Sequence, residues 1–257
     1  MRNTRVFTNQ TLSPGLEITL DDVVSKHLGT VLRLTTGDPV ILFNGQGGEF
    51  KATIRGSSKK KVTVLIGDHL ETNRESPLHI HLGIGLSRGD RMDWVIQKAT
   101  EVGVTEITPL ITQRTEVKLV ENRIQNKLSH WQKICISACE QSYRTEIPQI
   151  HLPIKMNQWI TDVKSEKKLV LHHRGDKTLS AIKEKNISSI SLLVGPEGGL
   201  TEEEIQASIH KNFEQLTLGP RAGSYTHLPR PTTYPFDIPV DAAAKKKKAK
   251  ALTTNQQ

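Results

Sequence analysis

The chain has 257 residues, of which 35% are hydrophobic and 24% charged, so it can bury one large core or two modest ones and reads as a somewhat polar, soluble protein. No run approaches the roughly 18 apolar residues that a transmembrane helix needs, so no membrane-spanning helix is expected. The net charge of +8 suggests a polyanionic partner, but the segment from Ala222 onward holds six Lys or Arg against two Asp and so carries half of it.

The opening MRNTRVFTNQTLS has basic residues with no apolar core behind them, so it is not expected to be a signal peptide. RVFT and LEITL are predicted strands, and DDVVSKHLGTVLRL is predicted as one amphipathic helix opened by acidic residues. The stretch GDPVILFNGQGGEFKATIRGSSKKKVTVLIG then alternates β-branched runs with turn signals at Asn44-Gly45, Gly47-Gly48 and Gly56-Ser57. Such spacing predicts a small β-barrel over residues 1–72, and SSKKK is either a solvated turn or a phosphate contact.

From Leu78 the rhythm changes. LHIHLGIGL, EITPLIT, QIHLPI, KKLVLHH, SISLLVG and FEQLTLG are predicted strands. Between them lie the predicted helices RMDWVIQKATEVG, ENRIQNKLSHWQKICISACEQSYR, MNQWITDVK, TLSAIKEK and LTEEEIQASIHK. Strands alternating with helices predict an α/β domain with a mostly parallel sheet covered on both faces. Cys135 and Cys139, the two cysteines, stand i, i+4 on a helix, and a buried face accounts for them better than half a metal site. His172 and His173 point to opposite sides of a strand and make a poor metal pair. His79 and His81 share one side of theirs, where packing is expected. Trp94 and Trp131 sit at helical spacing and are expected in the core or in a dimer contact.

One loop reads as a site. In SLLVGPEGGLTEEEIQ an apolar strand is followed by Gly195, Pro196, Glu197, Gly198 and Gly199, and then by Thr201 with Glu204, the capping-box signature of a helix start. A loop with so few side chains lets a ligand lie against the main chain, at the carboxyl end of a strand where open α/β sheets bind ligands. The competing reading is a tight strand-to-helix connection. The loop is neither a dinucleotide fingerprint nor a P-loop, which argues against an oxidoreductase and a nucleotide triphosphatase.

Four motifs in order, QKATEVGVTEITPL (Gln97–Leu110), ACEQSYRTEIPQI (Ala138–Ile150), LLVGPEGGLTEEE (Leu192–Glu204) and LTLGPR (Leu216–Arg221), join the opening RVF and HLGTVLRLTTGD. Together they resemble the small-subunit ribosomal RNA methyltransferase E family, over Met1 to Arg221. The resemblance implies a PUA-like, RNA-binding β-barrel (1–72) followed by a trefoil-knotted SPOUT methyltransferase domain (78–221). It implies S-adenosylmethionine as cofactor and N3 of a uridine in 16S ribosomal RNA of the small subunit as target. It further implies a cytoplasmic homodimer with no membrane and no metal.

By the same resemblance the cofactor lies against three loops, at Leu171 and His172, at Gly195, Pro196, Glu197, Gly198 and Gly199, and at Leu218, Gly219 and Pro220. Arg221 and Glu197 are the side chains expected at the chemistry, although Arg221 could simply pair with a carboxylate and Glu197 favour a helix start. Arg5, Arg33, Arg88, Arg91, Lys98, Arg114 and Arg144 are candidate RNA contacts, each competing with a solvated surface charge. Family members usually have Lys where Arg88 stands.

After LGPR the family continues into a last helix, whereas this chain reads AGSYTHLPRPTTYPFDIPVD, with Pro229, Pro231, Pro235 and Pro239 close together. Residues 222–257 are therefore expected to be disordered, and they are either a replacement of the C-terminal end of the domain or a lineage-specific basic tail that holds RNA. An RNA-binding protein without catalysis, its knot incomplete, is the alternative reading.

Overall fold

The computed structural model describes residues 4–58, 61–117, 121–172, 175, 177–178 and 187–218. The tail 222–257, with its expected disorder, lies outside the described residues, as do Gly219, Pro220 and Arg221. The helix expected at TLSAIKEK also falls outside them, apart from Thr178, which is in a strand.

Alternation of buried and open positions builds the first unit. In β5 (Val62–Leu70), Val62, Val64 and Ile66 point inward, and they meet Leu42 of β3 (Pro39–Phe43) and Ile54 of β4 (Glu49–Ser57) in one apolar core. With β1 (Thr4–Phe7) and β2 (Glu17–Thr19) the strand order is β1-β3-β4-β5-β2. Only β1 and β3 in it are parallel. This is the expected PUA-like sheet.

Two details differ from the sequence reading. The turn predicted at Gly56-Ser57 is the end of β4, where an irregularity between Ile54 and Gly56 shifts the register. The single predicted helix is α1 (Asp22–Lys26), capped by Asp21, running into a π-helical turn at His27–Val31. Gly29 explains the distortion: a Cβ there would sit 2.8 Å from the Ser58 carbonyl oxygen, so the helix backbone lies directly on the barrel.

The second unit is a parallel sheet ordered β11-β13-β10-β12-β6-β7-β8. Its central strands are β6 (His79–Gly85), β7 (Glu106–Ile111), β10 (Lys167–Leu171) and β12 (Ser189–Val194). β8 (Gln149–Ile150) and β11 (Lys177–Thr178) are the edges, β13 (Glu214–Thr217) adjoins β10, and β9 (Ile154–Lys155) adds to β7.

Period-two alternation assigns the faces. Leu192 and Val194 pack with α2 (Gly89–Glu101) and α3 (Glu121–Ser142), while Leu193 between them packs with α4 (Met156–Asp162) and α5 (Glu202–Ile209). Trp131, Cys135 and Cys139 are buried as expected, but Trp94 is half exposed. Burial pushes the Cys139 thiol up to about 12, so it is unreactive.

The units are joined by arginines. Arg5 on β1 donates from Nε to Glu49 (2.9 Å), from Nη1 to the Cys139 carbonyl (2.7 Å) and from Nη2 to the Arg144 carbonyl (2.6 Å), with its guanidinium 3.9 Å from the Phe43 ring centre. Arg144 pairs with Glu75 of the connector at 2.8 Å and donates to the carbonyls of Thr100 and Val104. Glu75 also accepts from the Thr145 and Glu146 amides. Glu140 accepts from the Phe7 amide at 3.0 Å. Both arginines are buried, at 8% and 5% exposure. Their Nε and Nη groups bond protein acceptors, so the expected RNA contacts of Arg5 and Arg144 find no exposed guanidinium here, and the two residues clasp the units together.

Removing one partner of such a pair strands a buried charge. Arg5→Ala is expected to cost about 3–5 kcal/mol of unfolding free energy. Urea denaturation followed at Trp131 and by circular dichroism should show the loss, and should separate the barrel transition from that of the α/β unit.

Candidate functional site

A parallel sheet gathers the loops that follow its strands along one edge. Here the chain leaves β6 towards β7 and β8 on one side, whereas from β12, the neighbour of β6 on the other side, it crosses β10 to reach β13. The reversal between β6 and β12 is a topological switch point, and the loop Gly195–Gly199 leaves β12 there.

Close backbone approach fixes this crevice. A Cβ on Gly85, the last residue of β6, would lie 2.3 Å from the Pro196 nitrogen, and one on Gly195 would lie 2.9 Å from the Leu200 nitrogen. The loop after β12 is thus laid directly on β6 and on its own return, and only glycine fits at either position. Gly195, Pro196 and Gly199 are buried, whereas Gly198 is exposed.

Charges then tie the neighbouring loops together. Glu197 Oε1 accepts from the Arg88 amide (3.2 Å) and from Arg91 Nη1 (3.1 Å), linking the loop after β12 to the start of α2. Partial burial opposes its ionisation, but hydrogen bonds from its own amide, the Arg88 amide, Arg91 and Ser87 outweigh this and hold its carboxyl below the usual carboxylate range. Arg114, after β7, donates to the Gly198 carbonyl at 2.7 Å, and Arg88 pairs with Glu116 at 2.7 Å. Glu204 serves two loops. One oxygen closes the capping box on the Thr201 amide (2.9 Å), and the other accepts from the Gln113 amide (2.7 Å).

The residues expected at the cofactor are brought together as far as they are described. Leu171 ends β10 and His172 follows it, Gly195–Gly199 follow β12 and Leu218 follows β13, and these three strands are neighbours in the order β13-β10-β12. The His172 amide donates to the Leu216 carbonyl at 3.0 Å, joining two of the loops. Main-chain groups and glycines without room for a Cβ suit a cofactor held by peptide contacts, which is the donor set expected for S-adenosylmethionine. Of the RNA candidates, Arg33, Arg88 and Arg114 are exposed, and Arg91 and Lys98 are half-buried in pairs with Glu197 and Glu101. Sequence reasoning missed Gln113, Glu116 and the second role of Glu204, because their partners lie far along the chain in other loops and helix starts.

A second cluster stands at the opposite, amino ends of β6 and β7. Glu106 faces His79 Nε2 at 3.0 Å, His151 Nε2 at 2.7 Å and His81 Nδ1 at 3.7 Å. Burial lowers the His81 pKa to about 4, with Glu106 opposing and His151 and His79 reinforcing the shift. His81 packs edge-on against Trp159, in keeping with the packing role expected for it. No metal was expected here, yet ligand atoms of His81, Glu106 and His151 lie within 4.8 Å of one another.

Two family models match the chain: one described as an RNA methyltransferase domain, over residues 74–222, and one described as an RNA methyltransferase PUA domain, over residues 20–67. The ribosomal RNA small subunit methyltransferase E of Buchnera aphidicola from Acyrthosiphon pisum is 34% identical over 218 residues, 84% of this chain and 86% of its own. The protein of that name from Bacillus subtilis is 34% identical over 217 residues, 81% of this chain and 84% of its own. A methyltransferase from Legionella pneumophila, solved with bound S-adenosylmethionine, superposes with a TM-score of 0.83 at 40% identity, covering 86% of this chain and 91% of its own. A ribosomal RNA small subunit methyltransferase E from Neisseria gonorrhoeae, also bound to S-adenosylmethionine, gives a TM-score of 0.81 at 36% identity, with 86% and 90% covered.

The crevice geometry sets two expected outcomes. Gly85→Ala forces the Pro196 backbone outward and is expected to cost about 1–3 kcal/mol by overpacking, read by thermal unfolding. Because the folded pKa of Glu197 is depressed, its contribution is present at neutral pH and is lost as pH falls through the folded value. The destabilisation caused by Glu197→Gln at pH 7 should therefore shrink as pH falls below the ordinary carboxylate range and through the folded value, as read in urea titrations at successive pH values.

Proposed function

The chain belongs to the ribosomal RNA small subunit methyltransferase E family, and from that premise we propose that it methylates N3 of one uridine in 16S ribosomal RNA of the small subunit. The observation that carries this reading is the row of three loops after β13, β10 and β12, in a fold whose similar structures hold S-adenosylmethionine.

S-adenosylmethionine supplies a methyl carbon made electrophilic by its sulfonium. The chain has to hold uracil N3 in line with that carbon and to make loss of the N3 proton possible. Leu171, His172, Gly195–Gly199 and Leu218–Pro220 form the cofactor wall in this proposal. Arg221 is the cation set against the uracil carbonyl oxygens, where negative charge grows as the proton leaves. Glu197 is already committed to Arg91 and the Arg88 amide and is a weak base, so its part is to position the start of α2. The target uridine is turned out of its stack to enter the crevice.

Arg33, Arg88, Arg91, Lys98 and Arg114 set register on the RNA through phosphates, and the barrel over residues 1–72 enlarges the footprint. The methyl transfer itself uses no metal. The protein acts as a cytoplasmic homodimer in this reading, which the half-exposed Trp94 on α2 supports. No helix among the described residues is long and apolar enough to cross a membrane.

The test is methyl transfer from labelled S-adenosylmethionine to assembled small subunits, with N3-methyluridine located in 16S RNA by mass spectrometry. Transfer is expected, and Arg221→Ala should slow it about 10²–10³-fold without abolishing cofactor binding. Retained RNA binding with no transfer by the native chain would overturn the enzymatic reading in favour of an RNA-binding protein.

A further inference from the structure

β6 and β7 run the whole depth of the sheet, and the end away from the crevice gathers chemistry that methyl transfer does not use. His79 and His81 stand two apart on β6 and so share a face. Register places Glu106 beside His81. The chain after β8 returns His151 alongside, its amide bound to the Ile107 carbonyl at 2.9 Å. Three imidazoles therefore converge on one carboxylate from three strands or strand ends.

Hydrogen bonding does not account for the whole arrangement. Glu106 is within bonding distance of His79 and His151, but His81 Nδ1 is 3.7 Å away, too long for a hydrogen bond, although its side chain is only 15% exposed. We propose that His81, Glu106 and His151 form a site for a divalent transition-metal ion of the zinc class that pins the amino ends of β6 and β7 to the segment leaving β8.

The donors fit such an ion. Imidazole and carboxylate are the ligands that Zn²⁺, Co²⁺ and Ni²⁺ accept, and bonds of roughly 2.0–2.2 Å require only a modest closing of atoms now within 4.8 Å. The surroundings fit as well. With Nδ1 turned to the ion, the proton of His81 sits on Nε2, and Thr108 Oγ1 lies 2.7 Å from that nitrogen as its acceptor. Trp159 Nε1, 3.2 Å from the same nitrogen, can only donate, so ion binding has to displace it. The indole is lodged against β6 because Gly83 leaves room for it: a Cβ there would stand 2.6 Å from the ring. Trp159 is thus a built-in reporter. The site lies at the far end of the sheet from the proposed cofactor loops and does not depend on the methylation reading.

The experiment uses the full chain, stripped with chelator and titrated with Co²⁺ and then with Zn²⁺. One equivalent of Co²⁺ per chain should bind with visible d–d bands and quench the fluorescence of Trp159, and Zn²⁺ should displace it. At a hundredfold excess over Kd, Zn²⁺ should raise Tm by roughly 5–10 °C. His151→Gln, at a partly exposed position, and Glu106→Gln should each weaken binding about 100-fold. His130→Gln, at an exposed ion pair elsewhere, should leave it unchanged. Trp159→Phe should keep the d–d bands and lose the quenching. Absence of d–d bands at one equivalent, or binding equally tight in His151→Gln and Glu106→Gln, overturns the proposal.

Discussion

The deepest link between the two units is what the Arg5 guanidinium touches. Helix α3 ends at Ser142, so its last carbonyls have no partner within the helix. One of them, that of Cys139, receives Arg5, and the turn beyond presents the Arg144 carbonyl to the same guanidinium. A cation at a helix C-terminus also meets the negative end of the helix dipole. Glu49 balances the charge from the barrel side, and Arg144 with Glu75 repeats the device on the connector. Such clasps are worth little over apolar packing, but breaking them is expensive. They act as a register mark, fixing which face of the barrel meets which end of the sheet.

That fixed geometry matters because the crevice is assembled from loops that share no strand. Glu197 and Glu204 each join two of them, Glu197 by accepting from the Arg88 amide and the Arg91 side chain and Glu204 by accepting from two backbone amides. The glycines give close approach, and the carboxylates hold together the loops that close approach has brought into contact. A pocket made this way is preorganised at its walls, and main-chain groups remain to meet a ligand.

Much of this was legible in the chain. SLLV, the bare loop and the Thr201–Glu204 box are local signals, and each is found as the pattern predicts. The three cofactor loops came from the family resemblance, since alternation of elements implies a parallel sheet but not the order of its strands. The misread parts have long-range causes. A lone arginine in RVFT looks like surface charge, because its acceptors at Cys139 and Arg144 are 134 and 139 residues away. The helix after Asp22 breaks its period because Gly29 meets Ser58 across the barrel. Gly56-Ser57 looks like a turn, yet the hairpin it extends continues past it. The Glu106 cluster was invisible, since two of its members meet only through sheet pairing. Arg221 and the residues after it lie outside the described residues, and the family match reaches residue 222.

Strand β1 stands at one end of the barrel's strand order, and the Phe7 amide on it is satisfied by Glu140, a residue of α3. During synthesis this edge emerges well before its cover. At about 5–20 residues per second, the 139 residues between Arg5 and Arg144 take roughly 7–30 s to translate. For that interval the nascent barrel shows an open β edge and a charged pair lacking half its partners, long enough for a neighbouring chain's strand to add to it. The clasp that orders the finished protein therefore also sets the period in which a half-made one is exposed to misassembly.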